Sequence, residues 1–120
     1  MTQTHETVLA DLSRAMVALH KEQFGRGPTR ARSHFAGQDI VVTVLEDALL
    51  PAEKAMVAMG QSLRVQEARA FMQEATKDRF IRAVEEIVYR KVRSFQSSSD
   101  PPAGMILEMS ILEPLADGDA

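Results

Sequence analysis

The chain has 120 residues, of which 45% are hydrophobic and 26% charged, with no cysteine and a net charge of -3. This composition is typical of one folded domain, and it excludes a disulfide framework, a thiolate metal site and a cysteine nucleophile. The first residues lack the pattern of a signal peptide, and no segment has the roughly 20 apolar residues that span a bilayer. We therefore expect a cytoplasmic protein.

A helix and a β-hairpin are the first predicted elements. Apolar residues at helical spacing predict a helix from about Thr4 to Phe24, which Gly25 ends. Two runs of strand length, Arg30 to Phe35 and Ile40 to Leu45, flank a short turn that contains glycine. Both alternating faces of the second run are apolar. We expect a central strand, covered by helices on one side and by a second copy of the chain on the other.

Two further helices are predicted in the middle of the chain. A proline at the first helical position predicts that one helix begins at Pro51, and Gly60 predicts a break before a longer helix that continues to about Arg90. The methionines are expected in the core rather than in a binding groove, since their spacing fits core positions. Those assigned to the core are Met56, Met59, Met72, Met105 and Met109.

A second hairpin, formed by residues 92–98 and 104–112, is predicted to end the domain, with a proline-containing loop between its strands. In its last strand apolar residues alternate with Glu108 and Ser110, so the apolar face is expected to be the buried one. The order of elements predicts an α+β two-layer sandwich, with an antiparallel sheet of about four strands and helices on one face. Residues 1–112 are assigned to a single domain and residues 113–120 to an acidic disordered tail.

A basic cluster follows the first helix. Arg26, Arg30 and Arg32 lie beside a turn that contains Gly27, and three guanidinium groups near backbone amides suit a small anion such as phosphate or bicarbonate, or a protein partner. The alternative is purely structural, because glycine suits the turn and alternating arginines are common on a solvated strand face. We favour the structural interpretation and retain the anion site as an alternative.

The segment that begins the second helix is another candidate site. Glu53 and Lys54 follow Pro51 and could contact a partner. The same residue types are also favoured at a helix N-terminus, where proline fits the first turn and glutamate interacts well with the helix dipole. Capping is the favoured interpretation.

No set of residues indicates catalysis. His5, His20 and His34 are the only histidines, and none of their spacings brings two together on one helix face to hold a metal. Acid, base and nucleophile are not found as a group. We expect no metal, no cofactor and no enzymatic activity. Nucleic-acid binding is not expected either, because the chain has no known reading motif.

Two motifs carry a family resemblance. The sequence GRGP at residues 25–28 and the sequence LLPAEK at residues 49–54, with the predicted order of elements, resemble the MpsC domain family, also known as DUF2294. The resemblance implies an accessory role beside a membrane ion or inorganic-carbon transport system, and it carries no catalytic residue. The chain departs from the family at Leu50, where a threonine or serine is common.

These observations favour a non-enzymatic cytoplasmic domain with an accessory or regulatory role, which acts by binding other proteins. We expect a homodimer whose partner is a membrane-protein complex, and a membrane association that is indirect. A small-anion sensor that uses Arg26, Arg30 and Arg32 is the alternative hypothesis.

Overall fold

The computed structural model of the chain describes residues 4–115 and shows the predicted α+β architecture. The order of helices and strands agrees with the prediction. The elements are α1 (His5–Phe24), β1 (Arg30–Phe35), β2 (Ile40–Glu46), α2 (Pro51–Ala58), α3 (Ser62–Val88), β3 (Val92–Asp100), a 3-10 turn (Pro101–Ala103) and β4 (Met105–Leu112).

The four strands form one antiparallel sheet in the order β1-β2-β4-β3. Strand β2 therefore lies between β1 and β4, as predicted for a strand that is apolar on both faces. Opposite residues in neighbouring strands share a face of the sheet. The row formed by Ser33, Thr43 and Glu108 lies on the helix-covered inner face, and the row formed by Arg32, Val44 and Leu107 lies on the outer face.

Local capping sets the ends of α1. The hydroxyl of Thr4 accepts a hydrogen bond from the backbone N–H of Thr7 at 3.2 Å, and Gly25 ends the helix with a φ of +82°. This confirms the predicted cap, because only glycine adopts that conformation without steric cost. Gly27 lies so close to α1 that an added Cβ would meet the carbonyl oxygen of Val17 at 3.1 Å.

The predicted break between the second and third helices is also confirmed. Gly60 has a φ of +78° and separates α2 from α3. Helix α3 ends at Val88, two residues before the predicted end, because Tyr89 adopts a left-handed conformation with a φ of +57°. Its 27 residues make α3 the longest helix of the described chain.

The hydrophobic core lies between the inner face of the sheet and the pair α1 and α3. Apolar side chains from both helices and from three of the strands form one cluster. Its largest members are Leu12, Met16, Val41, Leu45, Phe80, Val84, Phe95, Ile106 and Leu112. The buried residues of α1 follow one another at a spacing of four, so each turn of the helix contributes one side chain to the sheet.

The structure corrects the predicted orientation of β4. Ile106, Glu108 and Ser110 are buried on the inner face, whereas Met105 and Met109 lie on the outer face and are only half-buried. The alternation of apolar and polar residues was recognised, but the polar set faces the helices. Glu108 is tolerated there because His20 of α1 and Gln73 of α3 donate hydrogen bonds to its carboxylate. The residue pattern of a single strand does not reveal such partners.

The other core methionines also differ from the prediction. Met59 lies beside the α2–α3 break and is largely exposed, while Met72 is exposed on α3 and Met56 is half-buried. Met59 immediately precedes the left-handed Gly60, so the chain leaves the helical path before this side chain can turn toward the core. Helical spacing alone therefore overestimates burial near a helix end.

Strand β3 is two residues longer than predicted. Ser99 and Asp100 pair with Ile106 and Met105, and the prolines that follow them form a 3-10 turn instead of an open loop. Gly104 closes the turn with a φ of +68°. Proline fits this turn because its fixed φ suits a 3-10 helix and because it has no backbone N–H that would need an acceptor at the start of the turn.

Glu113, the first residue of the predicted acidic tail, forms hydrogen bonds through its backbone. The N–H of Glu113 donates to the carbonyl of Lys91 at 2.9 Å, and the carbonyl of Glu113 accepts from Arg90 at 2.6 Å. Residues 116–120 of the predicted tail lie outside the described residues.

The assigned faces of β4 predict different costs for two neighbouring truncations. Replacing Ile106 with alanine should lower the free energy of unfolding by about 3 kcal/mol, because it leaves a cavity in the core. Leu107→Ala should cost less than about 1 kcal/mol in dilute protein, because Leu107 lies on the outer face. Urea unfolding of both variants checks this. Equal losses would contradict the assigned orientation of the strand.

Candidate functional site

Arg26 is hydrogen-bonded to the loop that leads from β2 to α2. Its Nη1 donates to the backbone carbonyls of Asp47 and Leu49, each at 2.9 Å, and its Nη2 lies 2.8 Å from the Asp47 carboxylate. The hydrogen bond from Arg26 is the main reason that the pKa of Asp47 is lowered, and Lys54 adds to the effect. The guanidinium of Arg26 is therefore occupied by contacts within the chain.

Arg30 and Arg32 lie on the outer face of β1. Both are exposed and both face Glu46, from which their guanidinium nitrogens are 3.4 Å and 3.9 Å away. The structure thus brings two of the predicted arginines to one carboxylate, while Arg26 contacts another. The anion site that combines all three remains a prediction.

The predicted helix-start residues contact other parts of the chain. Pro51 is the first residue of α2, and the Glu53 carboxylate accepts a hydrogen bond from the backbone N–H of Leu50 at 2.8 Å. This is the half of a capping box that does not require a side-chain oxygen on Leu50. Lys54 lies 3.3 Å from the Asp47 carboxylate. Each residue thus has a structural role at the start of the helix.

Glu53 also forms a buried ion pair with Arg69, which the sequence analysis did not single out. Arg69 Nε and Nη2 donate to the two carboxylate oxygens at 2.8 Å and 2.5 Å, and Nη2 also donates to the carbonyl of Ala48 at 3.0 Å. The guanidinium lies 4.0 Å from the ring centre of Phe24. Arg69 is only 3% exposed, so the pair connects α2, α3 and α1 in the interior.

The protonation of Glu53 reflects this environment. Burial opposes its ionisation, but the hydrogen bonds from Arg69 and from the N–H of Leu50 outweigh burial and lower the pKa of Glu53 below 4.5. A carboxyl group with a lowered pKa stabilises the folded state above its unfolded pKa. That contribution is lost as the pH falls through the folded value.

A second buried polar group lies beneath α3. Glu108 Oε1 accepts hydrogen bonds from His20 Nε2 and from Gln73 Nε2, both at 2.7 Å. All three side chains are more than nine-tenths buried. The ring of His20 also packs edge-on against Phe80, with 5.5 Å between ring centres. Within residues 4–115, no group of three or more histidine, aspartate or glutamate side chains could hold a metal ion.

Several polar atoms of these two groups have no hydrogen-bond partner among residues 4–115. They are Arg69 Nη1, Gln73 Oε1, Glu108 Oε2 and His20 Nδ1. Arg69 and Gln73 also line a cleft of about 150 Å³ between α3 and β3, together with Ser97 and Ser99. An unpaired buried polar atom is destabilising, so a water molecule or a ligand that reached these atoms would stabilise the fold.

A weak signal of this site exists in the sequence. Arg69 and Gln73 continue the four-residue spacing of the buried Val65, and His20 continues that of Leu12 and Met16. Polar residues within an apolar stripe therefore mark the cluster. The apolar stripes are predicted from the sequence, but their polar members are not among the predicted site residues.

The outer face of the sheet is the other candidate site. The two central strands present an apolar surface there that no helix of the described chain covers. Its residues are Ile40, Val42 and Val44 of β2 and Met105, Leu107, Met109 and Ile111 of β4. Arginines of β1 flank this surface on one side, and serines, Gln96 and Asp100 of β3 flank it on the other.

Removing the charge of Glu53 should destabilise the folded state, because Arg69 would remain buried without its partner. For Glu53→Gln we expect a loss of about 3 kcal/mol in the free energy of unfolding, near the low end for a broken buried pair. Chemical denaturation at pH 7 measures it. Asp47→Asn, which alters an exposed ion pair, is the matched control and should cost much less.

The same variant predicts a change in pH dependence. The difference in stability between the original chain and Glu53→Gln should be largest above pH 4.5 and should shrink as the pH falls below that value. A difference that stays constant down to pH 3 would show that the Glu53 charge does not stabilise the fold.

Comparison with known families supports the sequence resemblance. Within residues 4–115, no helix combines the length and the apolar character needed to cross a bilayer. Comparison with curated proteins and with solved structures gives no significant match. Residues 4–114 match the family described as the Na⁺-translocating membrane potential-generating system (MpsC). The match covers almost the whole chain, which therefore belongs to the MpsC family.

Proposed function

We propose that this chain is a non-enzymatic accessory domain linked to a Na⁺-translocating membrane potential-generating system, and that it acts as a homodimer. The family match supports the link to such a system. In this proposal the domain works in the cytoplasm and reaches the membrane through a protein partner. The observation that carries the proposal is the uncovered apolar outer face of the sheet.

The outer face has the composition of a surface that becomes buried. Val42 and Val44 of β2 lie beside Met109 and Leu107 of β4, so the two central strands form a continuous apolar surface. A strand with apolar residues on both faces is usually covered on both, and here the helices cover only one. Leu107 remains 38% exposed, so the surface is available to a partner.

The charges beside this surface favour a second copy of the chain as the partner. Arg30 lies on the β1 side and Asp100 on the β3 side, in rows at the same end of the sheet. A twofold axis parallel to the strands would stack β1 of one copy over β3 of the other and place Arg30 opposite Asp100. An axis perpendicular to the strands would stack β1 on β1 and bring arginines near arginines. Opposite charges favour the first arrangement.

The favoured arrangement also buries the apolar surface against itself. Strand β2 of one copy would lie over β4 of the other, with Val44 opposite Leu107 and Val42 opposite Met109. The two sheets would be about 10 Å apart, as in other sheet-on-sheet packings. The apolar centre and the polar margins are the usual anatomy of a protein interface.

The interior supports a non-enzymatic role. His20 and Glu108 form the described contact that most resembles a base and its orienting carboxylate, but both side chains are buried. Arg26, Glu53 and Lys54 have partners within the chain. A substrate would therefore not reach the histidine without a change of conformation.

Light scattering at micromolar concentration should give twice the chain mass of 13.3 kDa. Leu107→Glu should raise the dissociation constant of the dimer at least tenfold, because a carboxylate without a partner would be buried at the interface. Phe71→Glu is the matched control: Phe71 is 74% exposed, but it lies on α3 and away from the outer face. A monomeric original chain, or equal effects of the two variants, would refute the dimer.

Crosslinking distinguishes the two possible axes. The chain has no cysteine, so an engineered cysteine is the only thiol that a crosslinking reagent can modify. Arg32 and Ser98 lie in one row on opposite sides of the outer face. A mixture of Arg32→Cys and Ser98→Cys chains should give mixed crosslinked dimers with a reagent that spans about 10 Å, the separation of packed sheets. Crosslinking of Arg32→Cys to itself instead would indicate the perpendicular axis.

A further inference from the structure

Strand β3 lies at one edge of the sheet, so β4 is its one neighbouring strand within residues 4–115. Residues of an antiparallel pair alternate between those that exchange both backbone hydrogen bonds and those whose backbone groups point away. The N–H of Leu112 donates to the carbonyl of Asp39, which immediately precedes β2, so Leu112 and every second residue before it face β2. The other residues of β4 therefore face β3. They are Met105, Leu107, Met109 and Ile111.

Three residues of β3 direct their backbone groups away from the sheet. The residues that pair with the β3-facing side of β4 are Ser94, Gln96, Ser98 and Asp100. The backbone groups of Phe95, Ser97 and Ser99 therefore point to the open edge, and Gln66 Nε2 of α3 donates to the Ser99 carbonyl there at 3.1 Å. Within the described chain, the N–H groups of all three residues and the carbonyls of Phe95 and Ser97 have no hydrogen-bond partner.

This edge lacks the usual protection against a further strand. Proteins protect exposed edges with charged residues, prolines or very short strands. Strand β1, at the other edge, carries Arg30 and Arg32, whereas residues 94–99 of β3 contain neither a charge nor a proline. An open edge of this kind can accept an extended segment through main-chain hydrogen bonds.

Helix α3 forms a wall beside the open edge. The edge groove, of about 320 Å³, is lined by Ala70, Glu74 and Lys77 of α3 and by Phe95 and Ser97 of β3. An added strand would direct every second side chain into this groove, where Ala70 leaves room for a small aliphatic group. A second copy that paired through its own β3 would leave the groove empty, because its Phe95 is only 4% exposed and already lies in its own core. The groove therefore fits a segment that has no helix of its own above it.

The charges along the edge give the added strand a direction. Lys77 lines the groove beside Phe95, and Arg93 precedes Phe95 by two residues, so positive charges outnumber Glu74 at this end. Asp100 gives the other end a negative charge. The first residues of an antiparallel strand would lie beside Asp100 and the last beside Arg93. A segment that begins with a basic residue and ends with an acidic one matches both ends.

We propose that the β3 edge binds an extended peptide segment of another protein as an antiparallel fifth strand. The backbone of the segment pairs with Phe95, Ser97 and Ser99, its alternate aliphatic side chains enter the edge groove, and its charge runs from basic to acidic. The edge is separate from the outer face of the sheet, so this binding does not depend on the dimer proposed above.

A short peptide with blocked ends, KVTVTVE, is the probe, and EVTVTVK is the matched control with the same composition and net charge. With the central valine opposite Ser97, all three valines face the groove, and lysine lies opposite Asp100. KVTVTVE should shift backbone amide NMR signals of β3 in a saturable way and bind at least threefold more tightly than EVTVTVK. No saturable shift up to about 5 mM peptide, or equal or tighter binding of EVTVTVK, would overturn the proposal.

N-methylated peptides test the backbone pairing. In the proposed register the N–H of the central valine donates to the Ser97 carbonyl, whereas the N–H of the threonine that follows points away from β3. Methylation of the valine nitrogen should lower the affinity at least tenfold, and methylation of the threonine nitrogen less than threefold. Equal losses would show that the peptide does not add as a strand.

Ser97→Pro removes a bond of the same pair from the protein side. Its N–H points away from β4, so proline leaves the β3–β4 pairing intact while the affinity for KVTVTVE should fall at least tenfold. Ala31→Pro makes the same change at the other edge, where Ala31 is opposite the β4-facing Leu45, and should bind as the original chain does. If circular dichroism shows that Ser97→Pro is unfolded, the methylated peptides decide. Unchanged affinity in the folded variant, or a Ser97 amide protected from hydrogen exchange without peptide, would refute the site.

Discussion

The buried ion pair of Glu53 and Arg69 fixes the three helices relative to one another. The carboxylate caps the first turn of α2, and the guanidinium extends from the middle of α3 onto the ring of Phe24 near the end of α1. An arginine at this depth needs such a partner, because an isolated buried charge is strongly destabilising. Together with the apolar side chains of α3 in the core, the pair holds α3 over the sheet and above the polar cluster.

The interior of this small domain is more polar than its size requires. His20, Gln73 and Glu108 occupy positions where apolar residues would pack without needing hydrogen bonds, and each retains an atom without a partner in the part of the chain that the structure describes. A partly satisfied polar network is less stable than an apolar core. A water molecule or a ligand that supplied the missing partners would therefore stabilise the folded domain.

The sheet separates the buried polar cluster from the surface available for assembly. Its inner face holds the helices and the polar cluster, and its outer face is apolar in the centre and charged at the margins. Glu108 and Leu107 are neighbours on β4 but lie on opposite faces, because side chains alternate along a strand. One strand thus contributes to both the buried polar cluster and the outer face.

The sequence by itself determined the order of elements, most of their ends and the central place of β2. These features depend on local physics: the helical stripe of α1, the left-handed glycine at Gly25 and the apolar alternation of β2. Only the tertiary structure decided which face of β4 is buried and which polar residues meet. His20 and Glu108 are 88 residues apart, and no spacing rule connects them. Their contact exists because α1 and β4 pack across the same core, and the free energy of that packing is a property of the whole fold.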